Sequence, residues 1–383
     1  MTKLNLSILI DDQIFRKQIV GGISNYFLAL LDEFKNSSRV QVKLGVVFYK
    51  TVKMSEYFGT VFREYRGKVF IFPAIALNSF KMLALRYELV HSTFYSRWSI
   101  ALLGSKPHIV TIHDMIPEDY PEYFYQGNPN KYKNKYIKDA DGIIAVSDYT
   151  YKRLLHHYPT INCPVTVIPL ASNFRLDDFQ SVDLRSKFDR KTLLYVGPRG
   201  SHKNFETVIE SLSRLIPLIK NISLICVGGG VFTPKEMRKF SLLGIESQIN
   251  QVECSDPGLR TLYLETSLCV CSSIAEGFGL PSVEAASMFS PVIVGKNSFL
   301  GERLPESLVL SDVRDSLEMA DKIFMILSDY PTFEASAKSA LQSVSDLSWS
   351  NTAEMTVDFY LSVHKMSRNR RLFGQSIVPK SDP

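Results

Sequence analysis

Short apolar runs, each closed by a small or polar residue and followed by a stretch of helical spacing, recur along the whole chain. Leu6 to Ile10 stops at Asp11-Asp12. After Gly21-Gly22, residues Leu28, Leu30, Leu31 and Phe34 follow at helical spacing. Runs at 42–48, 88–93, 107–112, 143–147 and 165–170 read as further strands, because they are strand-length, apolar and bounded by turn residues. A connector is expected from Ala171 to about Ser186. The alternation then restarts at Leu193, with strands predicted at 193–197, 222–227, 249–253, 267–273, 291–295 and, less distinctly, 308–310. Helical patterns separate them: 205–215, 259–264, 315–328 and 333–345, with an amphipathic run after Trp349. Two successive series of strand–helix units predict an α/β chain with two doubly wound domains.

The length agrees: 383 residues exceed one ordinary core and suit two domains. An apolar content of 45% with 22% charged residues is that of a globular protein. A net charge of +5 permits a basic face toward phosphate or anionic lipid and is too weak to argue for nucleic acid. The five cysteines are odd in number and lack metal-type spacing to histidine, which argues against a disulfide framework and a zinc site. No signal-peptide cleavage pattern and no apolar run of about 18 residues appear, so the expectation is a cytoplasmic protein.

The densest chemistry lies at 274–286. A buried strand leads into Glu276-Gly277-Phe278-Gly279-Leu280-Pro281, and proline suits the first turn of the helix that follows. Gly277 and Gly279 allow close backbone approach, and amides at the helix start favour an anion. Glu276 and Glu284 flank this turn. A carboxylate near a helix start suits the dipole on its own account. Two of them beside an anion site are better explained as acceptors for sugar and ribose hydroxyls, which a nucleotide-sugar supplies next to its diphosphate. Elsewhere, Arg199 and Lys203 sit in a glycine-bearing loop that opens a helix, a charge-and-dipole arrangement suited to diphosphate. Gly21-Gly22 opens another helix, and His113-Asp114 ends a strand, where open α/β sheets place ligands. Asp139 and Asp141 imitate a metal motif but join a helix to a strand. The triplet Gly228 to Gly230 does not complete a dinucleotide fingerprint. The basic-aromatic run 131–138 reads as a solvated helix face, with a membrane-facing patch as the sharper alternative.

Taken in order, the Gly-Gly loop, His-Asp, the Arg/Lys loop, the Glu-Gly-Phe-Gly-Leu-Pro stretch with its second Glu, and the last helix resemble the retaining GT-B glycosyltransferases of family 4, mannosyltransferase-like members in particular. The resemblance implies a GT-B fold, two facing Rossmann-like domains with a cleft between them. The implied limits are an acceptor domain at 1–178, a nucleotide-sugar domain at 187–349, a bracing helix at 350–366 and a basic tail at 367–383. The implied catalytic residues are His113, Arg199, Lys203 and Glu276. Gly21, Gly22, Gly277, Phe278, Gly279, Leu280 and Glu284 would bind the donor.

The resemblance further implies that a hexose moves from a nucleotide-diphosphate sugar to a glycan or lipid-linked acceptor without a bound metal or other cofactor. A GDP-sugar is favoured over a UDP-sugar, bacterial surface-polysaccharide synthesis is the expected setting, and peripheral contact with anionic inner-membrane lipid is a further expectation. Two other classes stay open: a UDP-N-acetylhexosamine 2-epimerase-like isomerase, and a non-catalytic nucleotide-sugar-binding module.

Overall fold

The computed structural model describes residues 5–19, 21–46, 49, 71–96, 106–124, 127–176 and 182–373. The chain divides into two compact units. One is built from the chain up to Pro121, the segment ending at Leu170 and the chain from Ser348 onward; the other is Ala171–Leu347 with the short segment Glu122–Phe124.

The sheet of the first unit contains β1 (Leu6–Ile10), β2 (Val40–Leu44), β3 (Leu89–Ser92), β4 (His108–Ile112), β5 (Gly142–Ala145) and β6 (Val165–Val167). Its order is β2-β1-β3-β4-β5-β6, and every neighbouring pair is parallel. The second sheet contains β7 (Thr192–Val196), β8 (Ser223–Val227), β9 (Ile249–Val252), β10 (Leu268–Cys271), β11 (Val292–Gly295) and β12 (Val309–Leu310). It is also all parallel, in the order β12-β11-β10-β7-β8-β9. Parallel strands covered on both faces need continuous apolar character. β3, β4, β5 and β11 are buried along their whole length, which is why the apolar runs were legible. Several strands stop a residue or more inside those runs.

Helices cover the sheets through single apolar faces. Phe205–Leu215 buries Phe205, Val208, Ile209, Leu212 and Leu215, each worth about 1.5–3 kcal/mol relative to exposure. An acid at Leu212 would break that face. The last helix, Trp349–Phe373, is longer than expected. Residues 367–373, read from sequence as tail, are helical, because Arg368, Arg370, Arg371 and Leu372 are good helix formers and no glycine or proline intervenes. Arg370 also lies 3.8 Å from Asp141. This helix rests so close to β5 that a Cβ on Gly142 would fall 2.7 Å from Val363. Between β2 and β3 the described residues include the helix Ile71–Ala84.

Candidate active site

In the second sheet the chain runs outward through β7, β8 and β9, then returns to lay β10 on the other side of β7. The loops after β7 and β10 therefore diverge from adjacent strands, which is where open α/β sheets form ligand crevices. Lys203 follows β7; Glu276, Gly279 and Glu284 follow β10.

These two loops are tied together. Ser272 Oγ donates to the Lys203 carbonyl at 2.7 Å, and the Ile274 amide donates to the His202 carbonyl at 2.9 Å. Lys203 Nζ donates to Glu276 Oε1 at 2.5 Å, and Ser273 Oγ donates to the same oxygen at 2.6 Å. Burial works to raise the Glu276 carboxyl, but Lys203 and the Ser273 hydroxyl outweigh it and hold the group below its ordinary value. A cavity of about 20 Å³ borders this pair and Ser282. Gly279 takes φ 84°, in the left-handed region, and turns the chain into the helix Leu280–Ser287 with Pro281 in its first turn.

Glu284 lies on that helix. Tyr263 donates to its Oε2 at 2.9 Å. Burial pushes its carboxyl up to about 7, against the pull of the tyrosine, and Asp256 adds repulsion. Tyr263 is itself fixed from behind, because its carbonyl accepts from the buried Lys187 Nζ at 2.7 Å.

Two predicted site residues are engaged elsewhere. The Arg199 side chain is only 3% exposed. It donates to Glu236 at 2.7 Å and to the carbonyls of Gly228 and Gly230 at 2.8 Å each. Gly228, Gly229 and Gly230 all have left-handed φ, so Arg199 clamps a loop that only glycine builds easily. Phe278 is buried and stacks on Phe299 at 4.4 Å; it anchors the loop from inside. Leu280 opens the helix and is partly exposed.

In the first unit, His113 follows β4. Its ring lies edge-on to Tyr26 at 5.4 Å and to Phe27 at 6.4 Å. Both aromatics belong to the helix Gly22–Phe34, whose N-cap is Gly21, so the Gly-Gly turn and the histidine share one neighbourhood. Gln18 Oε1 accepts from the Ser24 amide at 3.2 Å at the start of that helix. Burial lowers the His113 pKa to about 4, with Asp114 pulling it up and Lys133 pushing it down. The ring is neutral at pH 7, and its buried Nε2 has no hydrogen-bond partner. Such an atom calls for an explanation, and a ligand hydroxyl is a chemically suitable one. Asp114 Oδ1 accepts from the Ile116 amide at 3.2 Å and fixes the loop.

The models of glycosyltransferase family 4 and of glycosyl transferases group 1 match residues 20–172 and 177–342. The chain is a family 4 glycosyltransferase with the GT-B fold. It is 23% identical to a D-inositol 3-phosphate glycosyltransferase of Corynebacterium urealyticum, over 81% of this chain and 80% of that one. It is 22% identical to O-antigen chain mannosyltransferase B of Escherichia coli, over 66% and 69%. Among solved structures, sucrose-phosphate synthase of Thermosynechococcus elongatus superposes with a TM-score of 0.72 at 18% identity, covering 94% of this chain and 100% of that one. Anabaena HepE, solved with UDP and glucose, gives 0.71 at 17%, with the same coverage.

In the glycosyltransferase these loops also contact residues that the sequence reading did not single out. Lys133 belongs to the run read as a solvated helix face, yet it is 1% exposed. Its Nζ donates to Glu118 at 2.8 Å and to the Asp114 carbonyl at 2.9 Å, so it holds the His113 loop from below. Its spacing held the signal: Lys133 stands three and four residues before the apolar Tyr136 and Ile137, on the one helical face that is buried. Tyr263 lies in the helical pattern expected at 259–264, whereas Glu236 lies on the helix Pro234–Leu243, which the sequence reading did not predict; they reach Glu284 and Arg199 only through tertiary contact. Asp139 pairs with Lys135 at 2.9 Å, and Asp141 accepts from the His108 amide at 3.0 Å, so the two carboxylates have separate partners. Among the described residues, no helix is long and apolar enough to cross a membrane.

Proposed function

We propose that this glycosyltransferase moves a hexose from a nucleotide-diphosphate sugar to a hydroxyl of a glycan or lipid-linked acceptor, with retention of anomeric configuration and without a bound metal. What carries the reading is the convergence of Lys203, Glu276, Gly279 and Glu284 on the β7/β10 switch point. Lys203 and the amides around Gly279 and Leu280 supply positive potential where the diphosphate leaves. Glu276 accepts from the transferred sugar and Glu284 from the ribose. Neutral His113 offers its unpartnered Nε2 to a sugar hydroxyl.

In this mechanism the bond from the anomeric carbon to the phosphate oxygen breaks, and one to the acceptor oxygen forms on the same face. The acceptor's proton passes to the departing phosphate oxygen, so no protein nucleophile is needed. The mannosyltransferase relatives favour a GDP-sugar, and their O-antigen names favour surface-polysaccharide synthesis at the cytoplasmic face of the membrane.

The test is a thermal-shift and turnover panel of GDP-, UDP- and TDP-sugars, with and without a lipid-linked acceptor and with EDTA throughout. Acceptor-dependent release of nucleoside diphosphate, unaffected by EDTA and yielding the donor's anomeric configuration, is the expected result. An epimer formed from donor alone would overturn the reading.

A further inference from the structure

Lys187 is buried in the second unit, and no step of the transfer calls on it. It lies on the helix Leu184–Asp189, on the same inward face as Leu184 and Phe188, and is 1% exposed. Its Nζ donates to two backbone carbonyls, that of Tyr263 at 2.7 Å and that of Phe289 at 3.4 Å. Burial lowers its pKa to about 7, with Cys269 pulling the other way. Taking an amine this far out of water is costly, so the two carbonyls it reaches have to account for it.

Tyr263 lies in the last turn of the helix Asp256–Glu265. In a continuing helix its carbonyl would accept from the amide four residues on. That amide, of Ser267, donates instead to the Thr192 carbonyl of β7 at 2.8 Å, and Lys187 takes the vacant place. Phe289 follows the helix Leu280–Ser287 and has φ 55°, in the left-handed region. One nitrogen thus joins the C-terminal ends of two helices, where the dipoles favour a cation and where an amine that has lost its proton still donates. The lysine is itself pinned, because its carbonyl accepts from Ser267 Oγ at 2.7 Å. The two helices are those that carry Tyr263 and Glu284. Tyr263 is fully buried, and its hydroxyl meets Glu284 Oε2 at 2.9 Å only while the helices keep this spacing.

We propose that Lys187 is a positioning residue for ribose recognition: by joining the ends of the helices Asp256–Glu265 and Leu280–Ser287 it holds the Tyr263 hydroxyl on one oxygen of Glu284 and leaves the other to the ribose hydroxyls of the donor. This rests on the assignment of Glu284 to the ribose and extends it to a residue that meets no ligand.

The experiment measures the affinities of UDP and GDP against those of their 2′,3′-dideoxy counterparts, for the full chain and for Lys187→Met, Tyr263→Phe and the double variant. In the unaltered chain the preferred ribonucleotide is expected to bind about tenfold or more tightly than its dideoxy form. Lys187→Met and Tyr263→Phe should each bring that ratio down to about twofold or less, with the dideoxy affinity unchanged. The double variant should lose no more than either single one, as residues acting through one contact do. The dideoxy affinity also reports that each variant keeps its fold. Lys187→Gln, which retains a donor to the carbonyls, should keep more of the ratio than Lys187→Met and guards against a methionine variant that does not fold. A ratio that stays near tenfold in the Lys187 variants, or a dideoxy affinity that falls as far as that of the ribonucleotide, overturns the inference. Equal binding of ribo and dideoxy forms by the unaltered chain, or no binding of either nucleotide, overturns instead the donor reading on which it rests.

Discussion

Lys203 and Glu276 are each other's partner: Nζ and Oε1 are 2.5 Å apart, on side chains only 21% and 20% exposed. The cation assigned to the diphosphate and the acid assigned to the sugar are thus held ready by one contact, before either meets a ligand. Removing the lysine alone leaves a largely buried carboxylate without its counter-ion. Lys203→Met should cost about 1–3 kcal/mol of stability, and Lys203→Met/Glu276→Gln should recover part of it. Both variants should lose about 100-fold or more in kcat. Chemical denaturation together with single-turnover rates checks both halves.

Glu284 should make stability depend on pH with an unusual sign. Its carboxyl rises from near 4.5 to about 7 on folding. Between those values the folded chain holds a proton that the unfolded chain has lost, so this group's contribution to stability falls as pH rises from about 4.5 to 7. Glu284→Gln should therefore raise Tm relative to the unaltered chain at pH 8. The gain should fade toward pH 5, where the carboxyl is protonated in the fold as well.

The same residue should set the pH profile of the reaction. A deprotonated Glu284 accepts hydroxyl protons, so donor affinity should rise through pH 7. His113, its pKa lowered to about 4, stays neutral across that range. The inflection near 7 should persist in His113→Asn, which loses 10- to 100-fold in rate, and should vanish in Glu284→Gln. An inflection that moved with His113 would reverse the assignment.

Arg199 is predicted to act through the loop it clamps. Arg199→Met removes a buried partner of Glu236 and three left-handed glycines' support, at roughly 3 kcal/mol, or a Tm about 5–10 °C lower. Glu236→Gln, which leaves the arginine in place, should reproduce part of the loss in donor affinity. If Arg199 gripped phosphate independently of the loop, Glu236→Gln would leave donor affinity unchanged.

Much of this was legible along the chain. The two sheets announced themselves because strands buried on both faces must be continuously apolar, and Gly279 because a left-handed turn into a helix favours glycine. Glu276, Glu284 and Lys203 were singled out because their charges stand near glycines and helix starts, and the fold places them after β7 and β10, with Lys203 against Glu276. The contacts of Arg199 were not legible, since its partners Gly228, Gly230 and Glu236 are some 30 residues away. Lys133 was misread because its charge outweighed its place on the face of Tyr136 and Ile137, and its partners Glu118 and the Asp114 carbonyl are brought to it only by the fold. The strand order, which makes β7 and β10 neighbours, is a property of topology that no single run of residues carries.

Hydrogen–deuterium exchange with saturating UDP-glucose or GDP-mannose addresses the donor site most directly. Amides of 198–204 and 273–284 should be protected by whichever donor binds, and that protection should disappear in Lys203→Met. Binding accompanied by protection confined to other segments would contradict the assignment of the nucleotide-sugar to this switch point.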